Sequence, residues 1–183
     1  MAGYIRELFI IELIVLPFYL LIRKPWMTWS KREAALALFV LFMAGTLPLA
    51  LAGDYAAPST MLRRAARRLQ TGYGMNLVPF RSIRSYFTHS LPSDYFMVNF
   101  LGNIVMFMPW GFGLTLLWKR RQRVASVILY SLALTLFIET VQLFIGRSVD
   151  VDDVILNFAG SCLGAILYFL LRKIFPRLAE FAR

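Results

Sequence analysis

The sequence predicts an all-α integral membrane protein: a bundle of about five transmembrane helices plus an interfacial amphipathic helix in a long outward loop. Three observations carry this expectation. The chain is 59% hydrophobic and 16% charged, where a soluble domain runs nearer roughly half and a quarter, and its mean hydropathy is positive. The apolar residues gather into runs that approach the roughly 20 residues a bilayer requires. Most basic residues flank those runs as membrane anchors do, so the net charge of +10 needs no nucleic acid to explain it. The 183 residues fit a single membrane domain, 1–183. The one cysteine, Cys162, lies inside an apolar run, where it has no second thiol to pair with.

The expected spans are 4–22, 34–52, 96–118, 124–145 and 154–171. The first carries Arg6, Glu7 and Glu12 and has Pro17 as a kink point. It lacks a basic leader, so it reads as a retained helix rather than a removable signal. Basic clusters follow the first span (Arg23, Lys24, Lys31, Arg32), the third (Lys119, Arg120, Arg121, Arg123) and the fifth (Arg172, Lys173, Arg177). Placing all three in the cytoplasm puts the N-terminus outside and the C-terminus inside. The loops at 53–95 and 146–153 then face outward.

The long outward loop carries Arg63, Arg64, Arg67, Arg68, Arg81 and Arg84 against that rule. Leu62, Ala65, Ala66 and Leu69 fall on one narrow helical face, with the first four arginines fanned over the opposite one. Such a helix lies in the headgroup plane and is drawn to anionic lipid; a solvated charged face accounts for it equally well. Ser93 and Asp94 are placed to cap the third span.

Three spans carry polar residues at one level. Asn99 and Asn103 are four apart, Glu139 and Gln142 three apart, and Asp153 and Asn157 four apart, so each pair shares a helix face. Counted from the outward helix ends, Asn103, Glu139 and Asn157 lie roughly 5–10 Å deep. Ionisable groups inside a membrane span are costly and face partners or a cavity rather than lipid. The expected ligand-binding set is therefore Asn99, Asn103, Glu139, Gln142, Arg147, Asp150, Asp152, Asp153 and Asn157.

Each member also has a plainer reading. The asparagines serve equally as interhelical hydrogen bonds, and Glu139 as one half of a strut to Arg147. Asp152 or Asp153 suits the cap of the fifth helix. Glu139, Asp152 and Asp153 could instead hold a divalent cation such as magnesium, though the spacing fits no standard metal loop. Gly160 and Gly164 favour close helix packing. The sole histidine, His89, and Ser148 have no catalytic partner in the sequence, and no phosphate loop is present.

Several of these residues carry a resemblance to the VanZ-like family of bacterial membrane proteins. The matching pieces are Asn76-Leu77-Val78-Pro79-Phe80, then Asn99-Phe100-Leu101-Gly102-Asn103-Ile104 with Phe107, Pro109 and Gly111. Next come Glu139 and Gln142, Gly146-Arg147, Asp150, Asp152, Asp153, Asn157, Gly160 and Gly164, covering residues 75–171. Phe158 and Ser161 stand where the family pattern leads one to expect Thr or Gly. The resemblance implies a cell-envelope protein linked to resistance against teicoplanin-type glycopeptides. It supplies no catalytic residues. Three functions follow as expectations: a non-enzymatic protein whose outward pocket binds a lipid, a lipid-linked envelope precursor or the glycopeptide; a metal-dependent hydrolase or transferase acting on a lipid phosphate; and a small lipid flippase or transporter.

Overall fold

The computed structural model describes residues 2–24, 30–88, 97–119, 122 and 124–182. The side chains of Arg6 and Glu7, the Ser93-Asp94 cap, His89, Arg120, Arg121 and Arg123 lie outside the described residues.

Among the described residues four helices are long and apolar enough to cross a membrane, and the chain is an all-α membrane protein. They are α2 (Lys31–Ala50), α5 (Gly102–Leu117, entered through a π turn at Met97–Leu101), α6 (Val124–Ile145) and α7 (Val151–Ile174). The first apolar run also folds, as helix α1 (Ala2–Arg23) with Pro17 inside it, but it is not one of the four. It packs on α2, where the buried Glu33 carboxylate accepts from Tyr19 Oη at 3.3 Å and pairs with Arg23. Ser30 caps α2 by accepting the Glu33 N–H at 3.2 Å.

Helices α5 and α7 form the tightest pair, and small residues are the reason. A Cβ on Gly111 would lie 1.8 Å from the Ser161 carbonyl oxygen, one on Gly160 2.2 Å from that of Ile104, and one on Gly164 1.9 Å from that of Met108. Backbone thus touches backbone along the seam, which only glycine permits. Elsewhere the bundle turns leucine, isoleucine and phenylalanine outward, among them Leu38, Leu129, Phe137, Ile166 and Leu170. In lipid such an apolar belt is the solvated surface.

The two ends of the bundle differ. At one, Arg32 Nη2 reaches the Leu117 carbonyl at 3.5 Å, and Gln122 Nε2 donates to Tyr168 Oη at 2.9 Å. Arg172 Nη1 in turn donates to Gln122 Oε1 at 3.2 Å. The opposite end carries the loops: α3 (Pro58–Thr71), α4 (Arg81–Thr88) and a two-residue parallel ladder. In the ladder β1 (Met75–Asn76) pairs with β2 (Val149–Asp150), Met75 opposite Val149 and Asn76 opposite Asp150. A short 3-10 helix, Pro176–Phe181, follows α7.

Helix α3 is amphipathic, but it is oriented differently from the expected arginine fan. Ala65 and Arg68 are buried against α6, whereas Leu62, Ala66 and Leu69 are exposed with Arg63 and Arg67. The cause is the end of α6. Its last carbonyls have no intrahelical donor, and the negative end of the helix dipole attracts a cation. Arg68 supplies both needs, donating to the carbonyls of Gln142 and Gly146 at 3.4 Å each and to that of Arg147. Arg64 donates to the Phe144 carbonyl at 3.5 Å and pairs with Asp54 at 2.5 Å.

Candidate functional site

The polar residues on the spans meet at the loop end of the bundle. Glu139 and Gln142 sit on the last turns of α6, 6% and 5% exposed, and face α2 and α7. Gln142 Nε2 donates to the Ala50 carbonyl at 2.8 Å, one of those that the end of α2 leaves without a helical partner. Past Gly146, whose φ of +83° lets the chain reverse, Arg147 turns back to the same helix end. Its Nη1 donates to the carbonyls of Leu49 at 3.2 Å and Ala50 at 3.5 Å.

The expected Glu139–Arg147 strut therefore does not form. Glu139 Oε2 instead accepts the Asp150 N–H at 3.0 Å, because the chain leaving Gly146 brings that amide over the carboxylate. Across the space, Asn103 on α5 donates through Nδ2 to Asp153 Oδ1 at 2.7 Å. Asn157, one turn deeper on α7, is 4% exposed. The π turn carries Asn99 to the same opening.

Together Asn99, Asn103, Glu139, Gln142, Arg147, Asp153 and Asn157 line one cavity of about 510 Å³. Its apolar walls are Leu49, Ala50, Val98, Gly102, Val105, Met106 and Ile138. Val98 and Val105 are 70% and 59% exposed, so the cavity opens on the lipid-facing side of α5. Three buried oxygens on its lining side chains accept no hydrogen bond from any described residue: Glu139 Oε1, Gln142 Oε1 and Asn157 Oδ1.

Two of the expected site residues lie elsewhere. Asp150 is the cap of α7, accepting the Asp152 N–H at 2.8 Å, and its oxygens also take Asn76 Nδ2 at 2.8 Å and Ser82 Oγ at 2.5 Å. The capping role expected of Asp152 or Asp153 thus falls two or three residues earlier, on Asp150. Asp152 has no exposed surface. Its Oδ1 accepts the Phe80 N–H at 2.5 Å, and its Oδ2 accepts those of Ser82 and Ile83 at 2.6 and 3.0 Å. Both carboxylates clasp the Asn76–Ile83 loop to the start of α7, at the first turn of α4 where negative charge is favoured.

This changes the metal expectation for Glu139, Asp152 and Asp153. With Asp152 saturated by backbone N–H groups, no cluster of three acidic, histidine or cysteine side chains suited to a metal occurs among the described residues.

The four arginines named as membrane-surface residues also divide. Arg64 and Arg68 bond inward, while Arg63 and Arg67 stay exposed. Arg64, Arg67 and Arg68 line another cavity, of about 460 Å³, with Asp54, Thr71, Tyr73 and Gly146.

Sequence reasoning missed the contribution of α2, which is made by the carbonyls of Leu49 and Ala50; no side-chain pattern announces a backbone acceptor. It also missed the partnership of Asn76 and Ser82 with Asp150, whose members lie 74 and 68 residues apart.

No curated protein and no solved structure matches the chain significantly. A family model described as VanZ/LLP1 matches residues 35–172, reaching further toward the N-terminus than the motifs of 75–171 and taking in most of α2 and all of α3. The chain, by that match over most of its length, belongs to the VanZ/LLP1 family.

Proposed function

We propose that this protein is a cytoplasmic-membrane protein of the bacterial cell envelope whose loop-end cavity binds a membrane lipid or lipid-linked molecule, and that through it the protein alters susceptibility to teicoplanin-type glycopeptides. The observation carrying this reading is the convergence of seven polar side chains on one cavity that opens past exposed valines. A lipid headgroup can reach such a cavity sideways, with its chains left among the exposed apolar residues of α5. Polar groups buried within a span, with oxygens left unpaired, are costly to keep unless something occupies them.

The basic residues at the opposite end, Lys31, Arg32, Lys119, Arg172 and Lys173, support a cytoplasmic location for that end, which turns the cavity outward. The expected hydrolase or transferase has less support, because Asp152 is committed to the loop. The flippase has less as well: Thr115, Leu117, Ser131, Thr135 and Tyr168 are fully buried, filling the bundle below the cavity.

The test is teicoplanin susceptibility of cells expressing wild type, Glu139→Ala or Asn157→Ala at equal membrane levels. The reading expects both variants to behave like the empty vector. Variants indistinguishable from a wild type that does confer protection, or a wild type conferring none, would remove it.

A further inference from the structure

The unpaired atoms of the cavity define what its occupant must bring. Glu139 Oε1, Gln142 Oε1 and Asn157 Oδ1 are all acceptors, each without a donor among the described residues, on side chains at least nine-tenths buried. Their companion atoms hold two of them in place: Glu139 Oε2 is bound to the Asp150 N–H and Gln142 Nε2 to the Ala50 carbonyl. The cavity also contains the Asp153 carboxylate, so among the described residues it holds two carboxylates against a single guanidinium, that of Arg147. The occupant is therefore a donor, and a cation is favoured over a neutral one.

Two kinds of cation fit poorly. A divalent metal asks for six or more oxygens, usually several of them carboxylates, and the described residues gather no suitable cluster. A quaternary ammonium has no N–H to give and is held by aromatic cages, yet no Phe, Tyr or Trp among the described residues lines this cavity. A primary ammonium carries three N–H donors, one for each unpaired oxygen on these lining side chains.

Arg147 extends the match. Only its Nη1 bonds within the described residues, and its side chain is exposed at the rim, so the rest of the guanidinium can meet an anion. We infer that the cavity recognises a primary ammonium joined to a phosphate, the headgroup of an aminophospholipid, with Glu139, Gln142 and Asn157 on the ammonium and Arg147 on the phosphate. This rests on the cavity being a lipid site, as proposed above.

The experiment measures lipid retention by the full chain in detergent, using native mass spectrometry with phosphatidylethanolamine and phosphatidylcholine of identical acyl chains. Phosphatidylethanolamine is expected to bind at least tenfold more tightly. Glu139→Gln, nearly isosteric, should bring it to the phosphatidylcholine level, and Asn157→Leu should lower it by a smaller factor, with thermal melting showing both variants folded. Free phosphoethanolamine separates the sources of the headgroup: competition at low millimolar concentration marks the headgroup alone as sufficient, and its absence marks the anchored lipid as the ligand.

Equal binding of the two lipids by wild type overturns the ammonium assignment. A cavity-filling Gly102→Leu variant distinguishes that failure from failure of the lipid site itself. If both lipids bind equally and both are lost in Gly102→Leu, the site stands without ammonium selectivity. If Gly102→Leu keeps both, the cavity is not the lipid site.

Discussion

Replacing Asp152 by Asn should loosen the loop end of the protein while leaving the bundle folded. The substitution keeps the size of the side chain and one acceptor oxygen. That oxygen can still take the Phe80 N–H, but the amide nitrogen then faces the N–H groups of Ser82 and Ile83, donor against donor. Hydrogen bonds to a charged group contribute about 1.5–3 kcal/mol each, so losing two costs about 3–6 kcal/mol. Ser82 and Ile83 are only half-buried, which lets water recover part of this and favours about 3 kcal/mol. At 1.4 kcal/mol per factor of ten, that is an increase of about 100-fold in local opening. Hydrogen–deuterium exchange by mass spectrometry reads it directly: peptides covering residues 79–84 should exchange about 100-fold faster, and those from the centres of α5 and α7 at the wild-type rate. Unchanged exchange at 79–84 would refute the clasp. Equal acceleration throughout would mean that Asp152 supports the whole fold rather than the loop.

Three further outcomes follow from the packing. Gly164→Ala pushes a methyl group into the Met108 carbonyl at 1.9 Å, so α5 and α7 must separate by about an ångström; the cost should be about 1–3 kcal/mol in reversible unfolding, with Ile166→Ala on the lipid face near zero. Arg68→Met strips the end of α6 of its donor and should destabilise residues 146–150 by about 2–3 kcal/mol in exchange measurements, whereas Arg67→Met, exposed and lacking those carbonyl contacts, should leave them unchanged. Glu33→Gln removes the carboxylate that joins Tyr19 and Arg23 to α2. Because Arg23 is 40% exposed, water takes over much of its share, leaving about 1–2 kcal/mol, visible as faster proteolysis between α1 and α2.

The spans and their polar residues were legible because two strong constraints act on them: bilayer thickness sets their length, and the cost of burying a polar group in lipid makes each exception conspicuous. Asn103, Glu139 and Asn157 could be placed at one depth by counting residues, and the structure brings them to one cavity. The carboxylates after Gly146 were harder to read, since the extended Val149–Asp150 pair passes straight into the first turn of α7, where neighbouring side chains point about 100° apart. Asp153 enters the cavity while Asp150 and Asp152 face the Asn76–Ile83 loop, and that loop reaches them only through a ladder joining Met75 to Val149. Arg68 was misread for a related reason. Its helical wheel separates charge from apolar surface correctly, but its partners are carbonyls at the end of another helix, which sequence periodicity does not encode.

The glycine seam has a mechanical consequence for the cavity. With backbone set directly on backbone, α5 and α7 behave as one slab, and that slab carries Asn99 at its rim with Asn103, Asp153 and Asn157. The facing groups, Glu139, Gln142 and Arg147, hang on α6 and the turn beyond it, held to α2 by bonds to two carbonyl oxygens. The cavity is thus a vice with one fixed jaw. A change in its gape would have to come from the α6 jaw, and would break the bond from the Asp150 N–H to Glu139 Oε2 that ties that jaw to the start of α7.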